Sequence, residues 1–121
     1  MTEIIIQKNK SDFVVTASGH SGYAPEGIDI VCSAITSLMM FISSASVCAG
    51  GKLEEMRSGY TRVRLRKNEK TELIIEALIM TLDTMRIRYG KYIKTSVYFF
   101  NSCVICPIKK SVDRERGNVI Y

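Results

Sequence analysis

Apolar positions change their period along this chain, and the changes mark its elements. Residues 3–7 and 13–17 are short β-branched and apolar runs. The polar Asn9, Lys10, Ser11 and Asp12 separate them, which predicts a β-hairpin. Between Gly19 and Gly27 three glycines and a proline interrupt the pattern and predict a loop. Residues 29–49 carry no charge after Asp29 and read as one long apolar helix, stopped by Gly50 and Gly51. In residues 60–66, Arg62, Arg64 and Arg66 alternate with Val63 and Leu65, giving a strand with one wet and one buried face. Residues 53–58 supply its partner across Gly59. Helical spacing returns over 71–89, with Ile74, Leu78, Thr81 and Met85 on one stripe and Glu72, Glu76 and Asp83 off it. Gly90 ends that helix, and residues 94–100 form a last strand. The order β-β-α-β-β-α-β predicts an α+β two-layer sandwich: a mostly antiparallel sheet with two helices on one face.

The uncharged helix raises the question of a bilayer, since about twenty apolar residues suffice to cross one. Ser33, Thr36, Ser37, Ser43, Ser44 and Ser46 dilute its hydrophobicity, and no cationic anchor flanks its N-terminal end. It reads instead as a buried helix, with no membrane partner. One layer of neighbours rarely surrounds such a helix in a small domain. A second copy of the chain is therefore expected on its outer face, as a homodimer.

Length and charge narrow the classes. The 121 residues fit one domain, expected over 1–100, with 101–121 as a C-terminal extension. Of the net charge of +5, residues 1–90 contribute little, with eleven Lys or Arg against ten Asp or Glu. The excess lies in residues 91–121, with six against two, so the body is not expected to bind nucleic acid. The N-terminus shows no basic leader before an apolar core, so the four cysteines are expected as reduced thiols of a cytoplasmic protein. Cys103 and Cys106 form a C-x-x-C with no second pair to complete a zinc site, and ordinary free thiols are expected there. No metal or cofactor is implied.

The chain has a single histidine, so any histidine-assisted chemistry uses His20. It lies in the glycine loop, and Cys32 follows in the first turn of the apolar helix. With Asp29 as N-cap, Cys32 falls at N3, where unpaired N–H groups and the positive helix end favour thiolate over thiol. An imidazole nearby can take the thiol proton and later protonate a leaving amine. The same N–H groups can stabilise an oxyanion. Plain structural roles stand beside these. A cysteine at a helix start is often a small buried hydrophobe, and a loop histidine is often inert. Asp29 either caps the helix alone or also orients His20. The glycines are not a phosphate loop, which needs a Gly-Lys-Ser/Thr ending.

The run Gly19-His20-Ser21-Gly22-Tyr23-Ala24, followed by Gly27-Ile28-Asp29-Ile30-Val31-Cys32-Ser33-Ala34, resembles the signature of the ribosomal-processing cysteine proteases, the Prp family. The element order agrees through about residue 94. The resemblance implies a cysteine endopeptidase that removes a short hydrophobic N-terminal extension from a large-subunit ribosomal protein precursor, or from a related phage capsid or scaffold protein. It puts the nucleophile on Cys32, the base on His20 and the nearby aspartate on Asp29. The supporting helix hydroxyl falls on Thr36, where the family has serine. Gly19, Ser21, Gly22, Tyr23 and Gly27 become a mobile loop that admits the substrate peptide. A homodimer through the helices is implied as well. Residues 101–121 extend past the family's usual end. The alternatives are a non-catalytic ribosome- or capsid-binding module that uses this basic tail, and a redox or metal protein built on Cys103 and Cys106.

Overall fold

The computed structural model describes residues 1–99, so the final position of the expected last strand, the extension and Cys103 and Cys106 lie outside the described residues. Within them the chain forms β1 (Thr2–Lys8), β2 (Asp12–Ser18), α1 (Ile30–Cys48), β3 (Lys52–Arg57), β4 (Tyr60–Arg66), α2 (Glu69–Tyr89) and β5 (Ile93–Phe99). The strands make one sheet in the order β3-β4-β2-β1-β5. β1 pairs parallel with β5, and every other pairing is antiparallel. The expected α+β sandwich is what the chain adopts.

Register sets the two faces. Ile4 lies opposite Ala17, Ile6 opposite Val15, and Val15 and Phe13 opposite Val63 and Leu65. Because side chains alternate along a strand, these positions share one face with Ile93 and Val97. That face is the core, and both helices cover it. α1 lays Val31, Ile35, Met39 and Ile42 on the sheet, and α2 lays Ile75, Leu78, Ile79 and Leu82 beside them. The opposite face carries the arginines, with Glu54 bridging Arg62 and Arg64, and Arg64 also pairing with Asp12. A bulge between Leu53 and Glu55 turns Glu54 to that side.

Several local expectations shift. α2 begins at Glu69 because Asn68 caps it: its Oδ1 accepts from Thr71 N–H at 3.0 Å, and Thr71 Oγ1 accepts from Asn68 N–H at 2.9 Å. Its buried stripe is rotated toward Ile75, Ile79 and Leu82, which present more apolar area than a stripe through Thr81. Ile74 and Met85 stay partly buried, while Thr81 is exposed and donates its hydroxyl to Ala77 O. β3, as the edge strand, has no buried residue.

α1 is long and apolar enough to cross a membrane by length and composition. Its hydroxyls show how it also serves as a core helix. Buried Ser43 donates to Met39 O, and fully buried Ser46 donates across to Arg64 O, so neither goes unpaired. Beyond Ala49 the chain passes so close to β4 that a Cβ on Gly51 would stand 2.6 Å from Arg64 O. On the outer side of α1, Met40, Phe41 and Val47 are exposed, and no charged residue lies anywhere in the helix.

Candidate active site

β2 delivers the chain to the site and the start of α1 takes it away. After Ser18, Gly19 turns at φ +87° and donates its N–H to Gly59 O at 2.8 Å, fastening the loop to the β3–β4 turn. A Cβ on Gly19 would meet Met1 O at 2.7 Å, so the position needs glycine twice over, for conformation and for space. His20 follows, exposed, with its imidazole lying over Gly59. Gly59 also has a positive φ (+73°), and a Cβ there would stand 3.0 Å from His20 Nε2. The imidazole therefore uses space that only a glycine leaves open.

Asp29 organises the rest. It is the N-cap of α1, with Oδ1 accepting from Cys32 N–H at 2.9 Å. Its Oδ2 accepts from Ser21 Oγ at 2.6 Å and from the N–H groups of Tyr23 and Ala24, each at 3.2 Å. Withdrawal from water pushes the carboxyl up. The hydrogen bonds from Ser21, Cys32 and Ala24 outweigh this and hold Asp29 well below the usual carboxylate range. Among the described residues no hydrogen bond joins Asp29 to His20. The carboxylate thus caps the helix and folds the loop, and it is not seen orienting the imidazole.

Within the loop Ser21 is buried, and the Tyr23 ring stands edge-on to Tyr89 and Tyr92, with centroids 5.7 and 5.2 Å away. Cys32 is half-buried, its sulfur 3.3 Å from Ser21 N and 3.6 Å from Ser21 Oγ. Gly19, His20, Gly22, Gly27, Asp29, Cys32 and Thr36 all line one cleft of about 660 Å³, which Arg57 to Thr61 close from the other side. Ser21 and Tyr23, from the same loop, are not part of its lining. No hydrogen bond joins His20 to Cys32 among the described residues.

The first-turn donors expected to await an oxyanion are partly occupied. Cys32 N–H goes to Asp29 Oδ1, and Ser33 N–H goes to Asp29 O. The sulfur instead accepts from the loop, at Ser21 N–H. In the sequence Gly59 reads only as a turn, because its contact with His20 depends on the β2–β4 pairing. Tyr89 and Tyr92 carry no local signal either, since their rings are ordinary aromatics until the fold brings Tyr23 to them. Among the described residues no cluster of three or more His, Cys, Asp or Glu is fit to hold a metal ion.

Residues 1–94 match the family described as cysteine protease Prp. The chain belongs to the Prp cysteine protease family. It is therefore a hydrolase of the thiol protease class. The same fold is found in the essential ribosomal processing protease Prp of S. aureus bound to a covalently linked product peptide. That structure has a TM-score of 0.68 at 20% identity, over 80% of this chain and 99% of that one. A Streptococcus mutans protein matches with TM-score 0.62 and 22% identity, over 82% and 98% of the two chains. The S. aureus Prp structure with a substrate peptide matches with TM-score 0.58 and 19% identity, over 80% and 99%. No curated protein sequence matches the chain. A Prp protease acts through a thiol, and the described residues offer two free ones. Cys32 faces the cleft, whereas Cys48 is exposed at the opposite end of α1.

Proposed function

We propose that Cys32 is the nucleophile and His20 the general base and acid of an endopeptidase. The observation that carries this is the position of Cys32. It stands at N3 of a capped helix, in the wall of the cleft that His20 also lines. His20, exposed above Gly59, turns toward the sulfur and takes its proton. The sulfur then attacks the peptide carbonyl carbon, and an S–C bond forms. As the C–N bond breaks, His20 returns the proton to the leaving amine. Water, deprotonated by His20, cleaves the thioester and regenerates the thiol. Asp29 fixes the helix end and the loop, and Thr36, one turn beyond Cys32 in the same cleft, offers a supporting hydroxyl.

The substrate we propose is a short hydrophobic N-terminal extension on a large-subunit ribosomal protein precursor. Membership of the Prp family supports this, as does the likeness to a ribosomal processing protease crystallised with substrate and product peptides. We further propose a cytoplasmic homodimer, with the uncharged outer face of α1 (Met40, Phe41 and Val47) against the same face of a second copy.

Incubating the protein with the ribosomal precursor and with a phage capsid precursor, and reading the new N-termini by mass spectrometry, tests the substrate. Cleavage of the first is expected, and cleavage of the second alone would overturn it. Cys32→Ala is expected to bind the precursor peptide and leave it whole. Wild-type cleavage by that variant removes the assignment.

A further inference from the structure

We propose that Ser21 is a positioning residue for the nucleophile, a role distinct from membership of a mobile substrate loop. The inference rests on the reading of Cys32 as nucleophile. Ser21 is 3% exposed although it sits in a glycine-rich loop, so something inside holds it. Its Oγ–H donates to Asp29 Oδ2 at 2.6 Å, and Oγ accepts from Tyr23 N–H at 3.2 Å. These bonds fix the Ser21 peptide, and they aim its N–H at Cys32 Sγ from 3.3 Å. The same hydroxyl oxygen lies 3.6 Å from Sγ and is placed to accept from the S–H.

The sulfur is thus met by two polar groups of one residue, which is itself tied to the cap of the helix that carries the cysteine. Asp29, Ser21 and Cys32 form a closed ring of contacts: Asp29 takes Cys32 N–H and Ser21 Oγ–H, and Ser21 takes hold of the sulfur. In the attacking form the sulfur carries negative charge, and the Ser21 N–H is the donor that meets it. The other ionisable groups facing this cleft are His20 and Glu26 from the loop and Arg57 and Tyr60 from the β3–β4 hairpin. The thiolate has no S–H to give the Ser21 hydroxyl, so in that form the hydroxyl acts through the backbone. Without it the peptide is released from Asp29, and its N–H leaves the sulfur. Asp29 keeps the N–H groups of Tyr23, Ala24 and Cys32, so the helix cap survives.

Alkylation of Cys32 by iodoacetamide at fixed neutral pH, resolved by mass spectrometry against Cys48 in the same molecule, tests this without any substrate. Ser21→Ala is expected to slow Cys32 about fivefold relative to Cys48, the worth of about one net hydrogen bond. Ser21→Thr, which keeps the hydroxyl, is expected to restore the rate. On a cleavable precursor peptide, Ser21→Ala is expected to lower kcat by a similar factor with KM unchanged. Should Ser21→Ala not fold, amide exchange gives a reading that leaves Ser21 intact. In Cys32→Ala the Ser21 amide is expected to exchange at least about tenfold faster, as an amide that has lost its acceptor, while those of Tyr23 and Ala24 keep their rates. An unchanged Cys32-to-Cys48 ratio in Ser21→Ala, or unchanged Ser21 exchange in Cys32→Ala, overturns the proposal. A protein that cleaves no precursor but shows both effects would overturn the protease assignment instead.

Discussion

Replacing Gly59 with alanine tests the placement of His20 directly. A methyl group at this position stands 3.0 Å from Nε2, where unstrained contacts begin near about 3.5 Å. The exposed ring yields by several tenths of an ångström or more, away from the turn that supports it. Gly59 also has φ +73°, and an L-residue in the left-handed region costs about 1–2 kcal/mol. That backbone cost alone lowers the melting temperature by roughly 3–6 °C per kcal/mol for a domain of this size. Gly50 is the matched control. Its φ is +81°, and a Cβ there meets nothing nearer than Arg66 Cδ at 4.0 Å. Gly50→Ala therefore carries the same backbone strain far from the imidazole. The two variants are expected to melt within a few degrees of each other. They are expected to part in catalysis. A displacement approaching 1 Å costs on the order of a hundredfold in rate, so Gly59→Ala is expected to lose at least about tenfold in kcat. Gly50→Ala keeps it. Melting curves with steady-state cleavage of a precursor peptide read both quantities. Equal kcat in the two variants would refute the idea that Gly59 keeps room for a catalytic imidazole.

Two further outcomes follow from the site and the helix. Asp29 is held below its ordinary value of 3.8, so its stabilising bonds are fully present above that pH and fade as pH falls further toward the folded value. Asp29→Asn is thus expected to melt below wild type at neutral pH, with the gap closing under about pH 4; a gap constant between pH 6 and 2 contradicts this. Phe41 is 63% exposed on the uncharged face of α1, so Phe41→Glu is expected to leave the fold intact and convert a dimer to monomer by light scattering. A wild-type protein already monomeric at the same concentration would remove the proposed interface.

Most of the fold was legible because its signals are local. Alternation in 60–66 named both faces of β4, and the glycines at 50, 51 and 59 marked where elements end. The capped start of α1 was equally plain, since Asp29 and the uncharged run announce it together. What escaped depends on pairing between distant segments. Arg62 and Arg64 read as a solvated stripe, and they do face water, but Glu54 joins them only because a bulge turns it to their side. A helical period in α2 fits two neighbouring faces, one of them through Thr81, and only the sheet decides between them. The glycine loop reads as mobile because its composition permits it. Its contacts with the buried Asp29 carboxylate and with two tyrosines from distant segments carry no local pattern.

The parallel pairing of β1 with β5 has a kinetic side. Every residue that lines the cleft, apart from Thr2 and Ala17, comes from positions 19–61, and the pairings that hold them, β1 with β2, β2 with β4 and β3 with β4, lie within the first 66 positions. Among the described residues the sheet is finished only when β5 returns to lie along β1, a contact between their opposite ends. Such long-range closure pays its loop entropy before it is repaid, which slows folding. Of the described strands, β5 is also the one that synthesis supplies last. The half that carries Cys32 and His20 is thus free to assemble first, while the strand that completes the sheet over the core is the late arrival. A nascent chain would then present the loop that carries His20 on an unfinished sheet, with the β1 edge still open to other strands.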